Sequence, residues 1–137
     1  MKEGFKLFDS LVLSATLENL SKIESLIDRV CVELSVNPDL YGNILIAVTE
    51  AFNNAVTHGS MSTAKTVKVD VLSSDEEFMI SVSDDGQGFD YNNLPDPTAP
   101  ENLEKENGRG IFLMKNLADE VEFLDNGSQV RLVFNQN

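Results

Sequence analysis

Three short stretches of the chain combine residue types that carry chemistry with spacings that would gather them in one place. Glu50, Asn53, Asn54 and Thr57 recur at helical intervals. With Val48 at the centre of an apolar stripe, they fall roughly 140° to 240° away at about 100° per residue. A solvated face is the plain reading. Such faces are, however, normally filled with Lys, Glu, Gln or Arg, whereas Asn and Thr compete with the helix backbone and form helices less well. Glu50 and Asn54 are four residues apart and point the same way. A carboxylate beside a neutral amide oxygen suits a hydrated Mg2+, or a general base next to one.

The second stretch is Asp84-Asp85-Gly86-Gln87-Gly88, at the end of an alternating run in which Phe78, Ile80 and Val82 share one face. Alternation carries Asp84 onto that inward face and turns Asp85 to the other. A buried carboxylate must be hydrogen-bonded or it is strongly penalised by desolvation. An Asp-Gly turn with a capping role is one reading. The other is a fixed acceptor for a donor on a flat ligand, with Gly86 and Gly88 letting that ligand approach the backbone. The alternating acidic ligands and later Glu of an EF-hand are missing.

The third stretch, Asn107-Gly108-Arg109-Gly110, stands directly before an apolar pattern of Ile111, Met114 and Leu117, which predicts a helix over 110–118. Glycines just ahead of a helix expose N–H groups on its positive end, where anions bind. Neither a Walker A loop nor a dinucleotide fingerprint is present. His58 is the only histidine and Cys31 the only cysteine. A three-ligand zinc site and a thiolate cage are thereby excluded, and a His-dependent triad is disfavoured. Ser83 has no base in view, and Cys31 falls on a core stripe, which favours packing over nucleophilic chemistry.

The elements that must position these residues follow from periodicity. A strand is predicted over 5–13 with Phe5, Leu7, Leu11 and Leu13 on one face, Asp9 interrupting the alternation and Phe8 on the other side. Helix one takes Leu17, Leu20, Ile23, Leu26, Ile27, Val30, Cys31 and Leu34 as its stripe and ends at Asn37-Pro38. Helix two starts behind Asn37 and runs to His58-Gly59, with Tyr41, Ile44, Leu45, Val48, Phe52 and Ala55 inward. Strands are predicted over 66–72, 78–83 and 121–134, the last broken by a turn at Asp125-Asn126-Gly127. Residues 85–107 are rich in Gly, Pro and Asn with little apolar pattern, and a loop of that length in a compact domain usually binds or covers a ligand.

With 137 residues, 42% of them hydrophobic, the chain is sized for one domain with one core. Its formal net charge of −13 repels phosphate backbones and anionic headgroups, which argues against nucleic-acid and membrane-surface binding. The absence of a membrane-length apolar run, of a signal-like N-terminus and of cysteine pairs points to the cytoplasm.

In order, Glu50-Ala51-Phe52-Asn53-Asn54-Ala55-Val56-Thr57-His58-Gly59, Asp84-Asp85-Gly86-Gln87-Gly88-Phe89 and Gly108-Arg109-Gly110-Ile111-Phe112-Leu113-Met114 resemble the N, G1 and G2 boxes of the GHKL ATPase superfamily. The Glu-Ala-x-x-Asn-Ala-x-x-His-Gly form and the short length are most similar to the bacterial anti-sigma factor serine-protein kinases of partner-switching systems. The resemblance implies an α+β fold: a two-layer α/β sandwich of the Bergerat type, with a mainly antiparallel mixed sheet and three helices on one face. It implies a single ATP-binding kinase domain over 1–137 with an ATP lid at about 89–107. Asp84 would accept the adenine amino group, Gly86 and Gly88 would border the base, and Asn54 would ligate Mg2+, its spacing from Glu50 favouring it over Asn53. Gly108 and Gly110 would contact phosphates, with Lys105 and Arg109 completing the nucleotide-binding set. Glu50 would be the base acting on a serine hydroxyl or on water.

The activity so implied is Mg-ATP-dependent phosphorylation of a serine on a STAS-type anti-sigma factor antagonist, together with sequestration of a sigma factor. A homodimer is implied as well. The alternative is a non-catalytic ATP-binding switch that acts by binding alone. A histidine kinase would need a phospho-accepting helical hairpin upstream, for which the few residues ahead of helix one leave no room. The acidic surface is then no obstacle to a nucleotide, since Mg2+, the start of helix three and Arg109 would supply local positive charge. It becomes a docking face for the basic regions of a sigma factor.

Overall fold

The computed structural model describes residues 4–56, 66–84, 106–124 and 128–136, and of 106–109 the backbone alone. Five strands form one sheet: β1 (Lys6–Ser14), β2 (Thr66–Ser73), β3 (Glu77–Asp84), β4 (Glu120–Leu124) and β5 (Gln129–Asn135), in the order β1-β2-β3-β5-β4. Every pairing is antiparallel, so the described sheet is antiparallel throughout rather than mixed. The helices are α1 (Leu20–Glu33), α2 (Tyr41–Asn54) and α3 (Glu106–Leu117). Helix α2 packs against β3 and β5, with α1 and α3 on either side of it.

The core forms where the predicted alternations meet the predicted helical stripes. Val67, Val69 and Val71 of β2 and Phe78, Ile80 and Val82 of β3 are buried on the helix side. Val130, Leu132 and Phe134 of β5 continue that face, and Phe78 and Phe134 stack with ring centroids 5.3 Å apart. Ile23, Leu26, Ile27 and Val30 of α1 close it from above. Burying each such side chain contributes about 1.5–3 kcal/mol of transfer free energy.

Four local expectations are corrected. In β1 the register slips between Leu7 and Asp9, so Phe8 is an extra residue and the faces exchange there. Leu7 is consequently 66% exposed while Phe8 packs on the core. Asp9, which interrupts the sequence pattern, lies opposite Val71 and pairs with Arg29 of α1. Leu17 is exposed, because a 3-10 turn over Leu17–Asn19 rotates it off the α1 stripe.

Helix α1 ends earlier than Asn37-Pro38. Ser35 adopts φ 53°, the N–H of Val36 donates to the Cys31 carbonyl at 3.0 Å and that of Ser35 to Val32 at 3.2 Å. This is a Schellman closure, with serine at the left-handed position that glycine usually fills. Ser35→Gly should therefore stabilise the fold by about 0.5–1 kcal/mol, the relief of left-handed strain exceeding the added unfolded-state entropy. Urea unfolding that places the variant below the wild type would contradict this assignment.

At the next junction Asn37 caps a 3-10 turn over Pro38–Leu40, its Oδ1 accepting the Asp39 N–H at 3.0 Å, and α2 follows. Ala55 and Val56 extend α2 as a wider π turn, and its predicted end at His58-Gly59 lies outside the described residues. Helix α3 begins at Glu106, four residues before the predicted start. Gly108 thus falls in its first turn and Gly110 in its second, and residues 106–107, at the end of the proposed lid, are helical. The remainder of the proposed lid, 89–105, lies outside the described residues, as does the turn at 125–127.

Candidate functional site

The polar face of α2 is not a solvated one. Asn54 is 7% exposed, and Glu50 and Asn53 are half-buried, because α3 packs against this side of the helix. Close approach depends on Gly110, which is itself buried. A Cβ at that position would lie 2.8 Å from Glu50 Oε2 and 3.7 Å from both Asn54 Oδ1 and Nδ2. The carboxylate and the amide therefore converge on one spot, as their i, i+4 spacing requires. An anion-binding role for the Gly110 N–H as a group ahead of the helix does not match its place in the second turn, where helix hydrogen bonding uses that N–H. The missing side chain at Gly110 makes room for Glu50.

That contact gives a prediction with a definite sign. Alanine in a helix interior is favoured over glycine by about 0.5–1 kcal/mol. In the wild type this gain should be offset by displacement of the Glu50 carboxylate, whereas in a Glu50→Ala background Gly110→Ala should appear as a net stabilisation. Urea unfolding of the four proteins measures the coupling, and strict additivity would show that the two residues do not interact.

Asp84 ends β3 opposite Val67 of β2, and its backbone N–H donates to the Ser128 carbonyl at 2.9 Å. Its half-buried side chain shares a pocket with Asn54. Ala51 and Ala55 of α2, Val82 of β3, Met114 of α3, Phe123 of β4 and Val130 of β5 supply apolar walls, and Ser128 a hydroxyl. The cavity between these walls is narrow, about 10 Å3. Apolar walls with a carboxylate and an amide on one side suit a flat ligand that offers a hydrogen-bond donor. Val82 is legible as a wall because it is in phase with Asp84, and Met114 because it lies on the α3 stripe. Ser128 stands just ahead of β5 and carries no periodic signal.

Asn54 thus joins the pocket to the Glu50–Gly110 contact. Gly86, Gly88, Lys105, Thr57 and His58 lie outside the described residues, as does the side chain of Arg109. Among the described residues no cluster of three or more His, Cys, Asp or Glu could hold a metal ion. The Asn54 amide oxygen, with the Glu50 carboxylate beside it, is a hard donor that fits Mg2+, which keeps waters and takes phosphate oxygens as its remaining ligands. Cys31 stands apart from this site; burial, with a smaller contribution from Asp28, pushes its thiol up from the ordinary range. Its thiolate is disfavoured, in line with a packing role.

A family model described as the histidine kinase-like ATPase domain matches residues 13–134. Serine-protein kinase RsbW of Staphylococcus epidermidis is 31% identical over 117 residues, which cover 80% of this chain and 74% of that protein. Serine-protein kinase RsbW of Bacillus cereus (strain AH187) is 30% identical over 92 residues, 62% of this chain; the match spans 58% of the length of that relative. In fold, the chain is similar to the crystal structure of the RsbU and RsbW domains of Rv1364c from Mycobacterium tuberculosis. That alignment has a TM-score of 0.61 at 16% identity and covers 95% of this chain and 32% of the other. The family match runs from the end of β1 into β5 and takes in every element that lines the pocket, so the chain belongs to the histidine kinase-like ATPase domain family.

Proposed function

We propose that the chain is a cytoplasmic protein-serine kinase of the anti-sigma factor type, which binds Mg-ATP, phosphorylates a serine on a STAS-type antagonist and sequesters a sigma factor. The observation that carries this reading is the convergence of Glu50 and Asn54 on Gly110, beside the pocket that Asp84 enters. The similarity to proteins named serine-protein kinase supports it.

In this reading the adenine ring enters between Ala51, Val82 and Met114, and its amino group donates to Asp84. Gly86 and Gly88 border the base. The segment 89–105 covers the nucleotide, with Lys105, Gly108 and Arg109 toward the phosphates. Asn54 would hold Mg2+, which when bound neutralises phosphate charge. Phosphoryl transfer of this kind needs positioning and charge stabilisation more than covalent chemistry from the protein. The antagonist's serine oxygen forms a bond to the γ-phosphorus as the bond to the bridging oxygen breaks, and that electron pair leaves on ADP. Glu50 takes the hydroxyl proton.

Incubating the chain with Mg-ATP and a candidate antagonist, followed by intact-mass measurement, tests the activity. Addition of one phosphoryl group to the antagonist is expected. ATP-dependent complex formation without any such addition would identify a non-catalytic switch instead.

A further inference from the structure

The end of α1 and the start of α2 form an open groove lined by Asp28, Cys31, Val32, Val36, Pro38 and Tyr41. It is shallow, with a volume of about 460 Å3, and shares no lining residue with the Asp84 pocket. Single exposed apolar residues are ordinary on protein surfaces. Val32 differs in that it is 78% exposed and stands on the wall of a mainly apolar groove rather than on open surface.

The walls are held in place before anything binds. The Schellman closure at Ser35 fixes Val36, and the Asn37 cap fixes Pro38. The Tyr41 hydroxyl donates to Asp28 Oδ1 across the groove. That hydrogen bond, with burial and the charges of Asp28 and Glu24 adding to it, pushes the Tyr41 hydroxyl up to about 12, so it stays a neutral donor at physiological pH. A preformed groove loses little conformational freedom on binding.

Charge selects the occupant. Glu24, Asp28, Glu33 and Asp39 are all exposed on the elements that form the groove. Of the basic residues on α1, Lys22 lies on its first turns, and Arg29 is engaged by Asp9 of β1. Asp28 on the groove wall, within a surface of this sign, repels nucleic acid and anionic lipid and attracts a cationic chain.

We propose that this groove docks a basic segment of a partner protein. One Leu, Met or Phe side chain of that segment enters between Val32, Val36 and Tyr41, and flanking Lys or Arg side chains meet Asp28, Glu33 and Asp39. The inference goes beyond the kinase reading and does not depend on it, since the groove is separate from the nucleotide pocket.

Cys31, on the groove wall, is a built-in reporter. The full chain is titrated with a synthetic amphipathic peptide of Leu and Lys, and with a control in which each Lys is Glu, while alkylation of Cys31 by iodoacetamide is followed by mass. The Leu/Lys peptide should slow alkylation and bind about tenfold or more tighter than the control, an advantage that shrinks at high salt. Val32→Lys, at an exposed position, should weaken the Leu/Lys peptide by about tenfold or more while leaving Mg-ATP affinity unchanged. Equal binding of the two peptides, or protection that persists in Val32→Lys, would overturn the proposal. So would protection that grows with protein concentration in the absence of peptide, which would make the groove an interface between copies of this chain.

Discussion

Asp84→Asn is expected to remove ATP-induced thermal stabilisation while leaving the ligand-free chain folded. The side chain is half-buried at the end of β3, and the strand's pairing with Val67 of β2 and the backbone hydrogen bond from Asp84 to Ser128 are main-chain contacts that the substitution does not touch. Asn has nearly the same shape as Asp but carries no charge, and it can turn an amide N–H toward the adenine amino group. A hydrogen bond to a charged acceptor contributes about 1.5–3 kcal/mol, so affinity should fall roughly 10- to 100-fold. Ligand stabilisation depends on the ratio of ligand concentration to Kd, and a loss of that size takes a modest ATP excess from clear stabilisation to almost none. Calorimetry that finds unchanged ATP affinity would take Asp84 out of base recognition.

Glu50→Ala should do the opposite, retaining nucleotide while losing transfer. Glu50 lies off the pocket lining and against Gly110, so its removal leaves the walls around Asn54 and Asp84 in place. The fold should tolerate the change, because the carboxylate is half-buried and its loss opens space beside a glycine. A general base contributes about 10²–10⁴ in rate, and the loss should fall on kcat, with KM for ATP little changed. A variant that phosphorylates the antagonist at the wild-type rate would remove Glu50 from the base role. Together the two substitutions separate binding from chemistry: one should weaken nucleotide binding and with it transfer at limiting ATP, the other transfer alone.

Much of the fold was legible because β2 and β3 keep strict alternation and α1 keeps a clean stripe. Val67, Val69 and Val71, and Phe78, Ile80 and Val82, are buried as their phase requires. The misreadings occur where tertiary context overrides a local period. At Phe8 one inserted residue exchanges the faces of β1, and the only trace of it in the sequence is Asp9 at an inward position, which Arg29 answers from another element. At α3 the glycines suggested a late start, yet Gly110 is inside the helix because the close approach to Glu50 leaves no room for a side chain. The unusual polar face of α2 was visible in its residue types. What buries it was not, because the cover comes from α3, more than fifty residues along the chain. Ser128 and Phe123 belong to the pocket through the pairing of β4 and β5, which no spacing near Asp84 reveals.

The central claim is that the pocket between α2, β3 and β5 is the nucleotide site. Backbone NMR of the wild-type chain titrated with Mg-ATP tests it most directly. The largest shifts should fall on Ala51, Asn54, Val82, Asp84, Ser128 and Val130, with Val32 and Tyr41 unmoved. Shifts concentrated elsewhere in the chain, or none at saturating nucleotide, would contradict it.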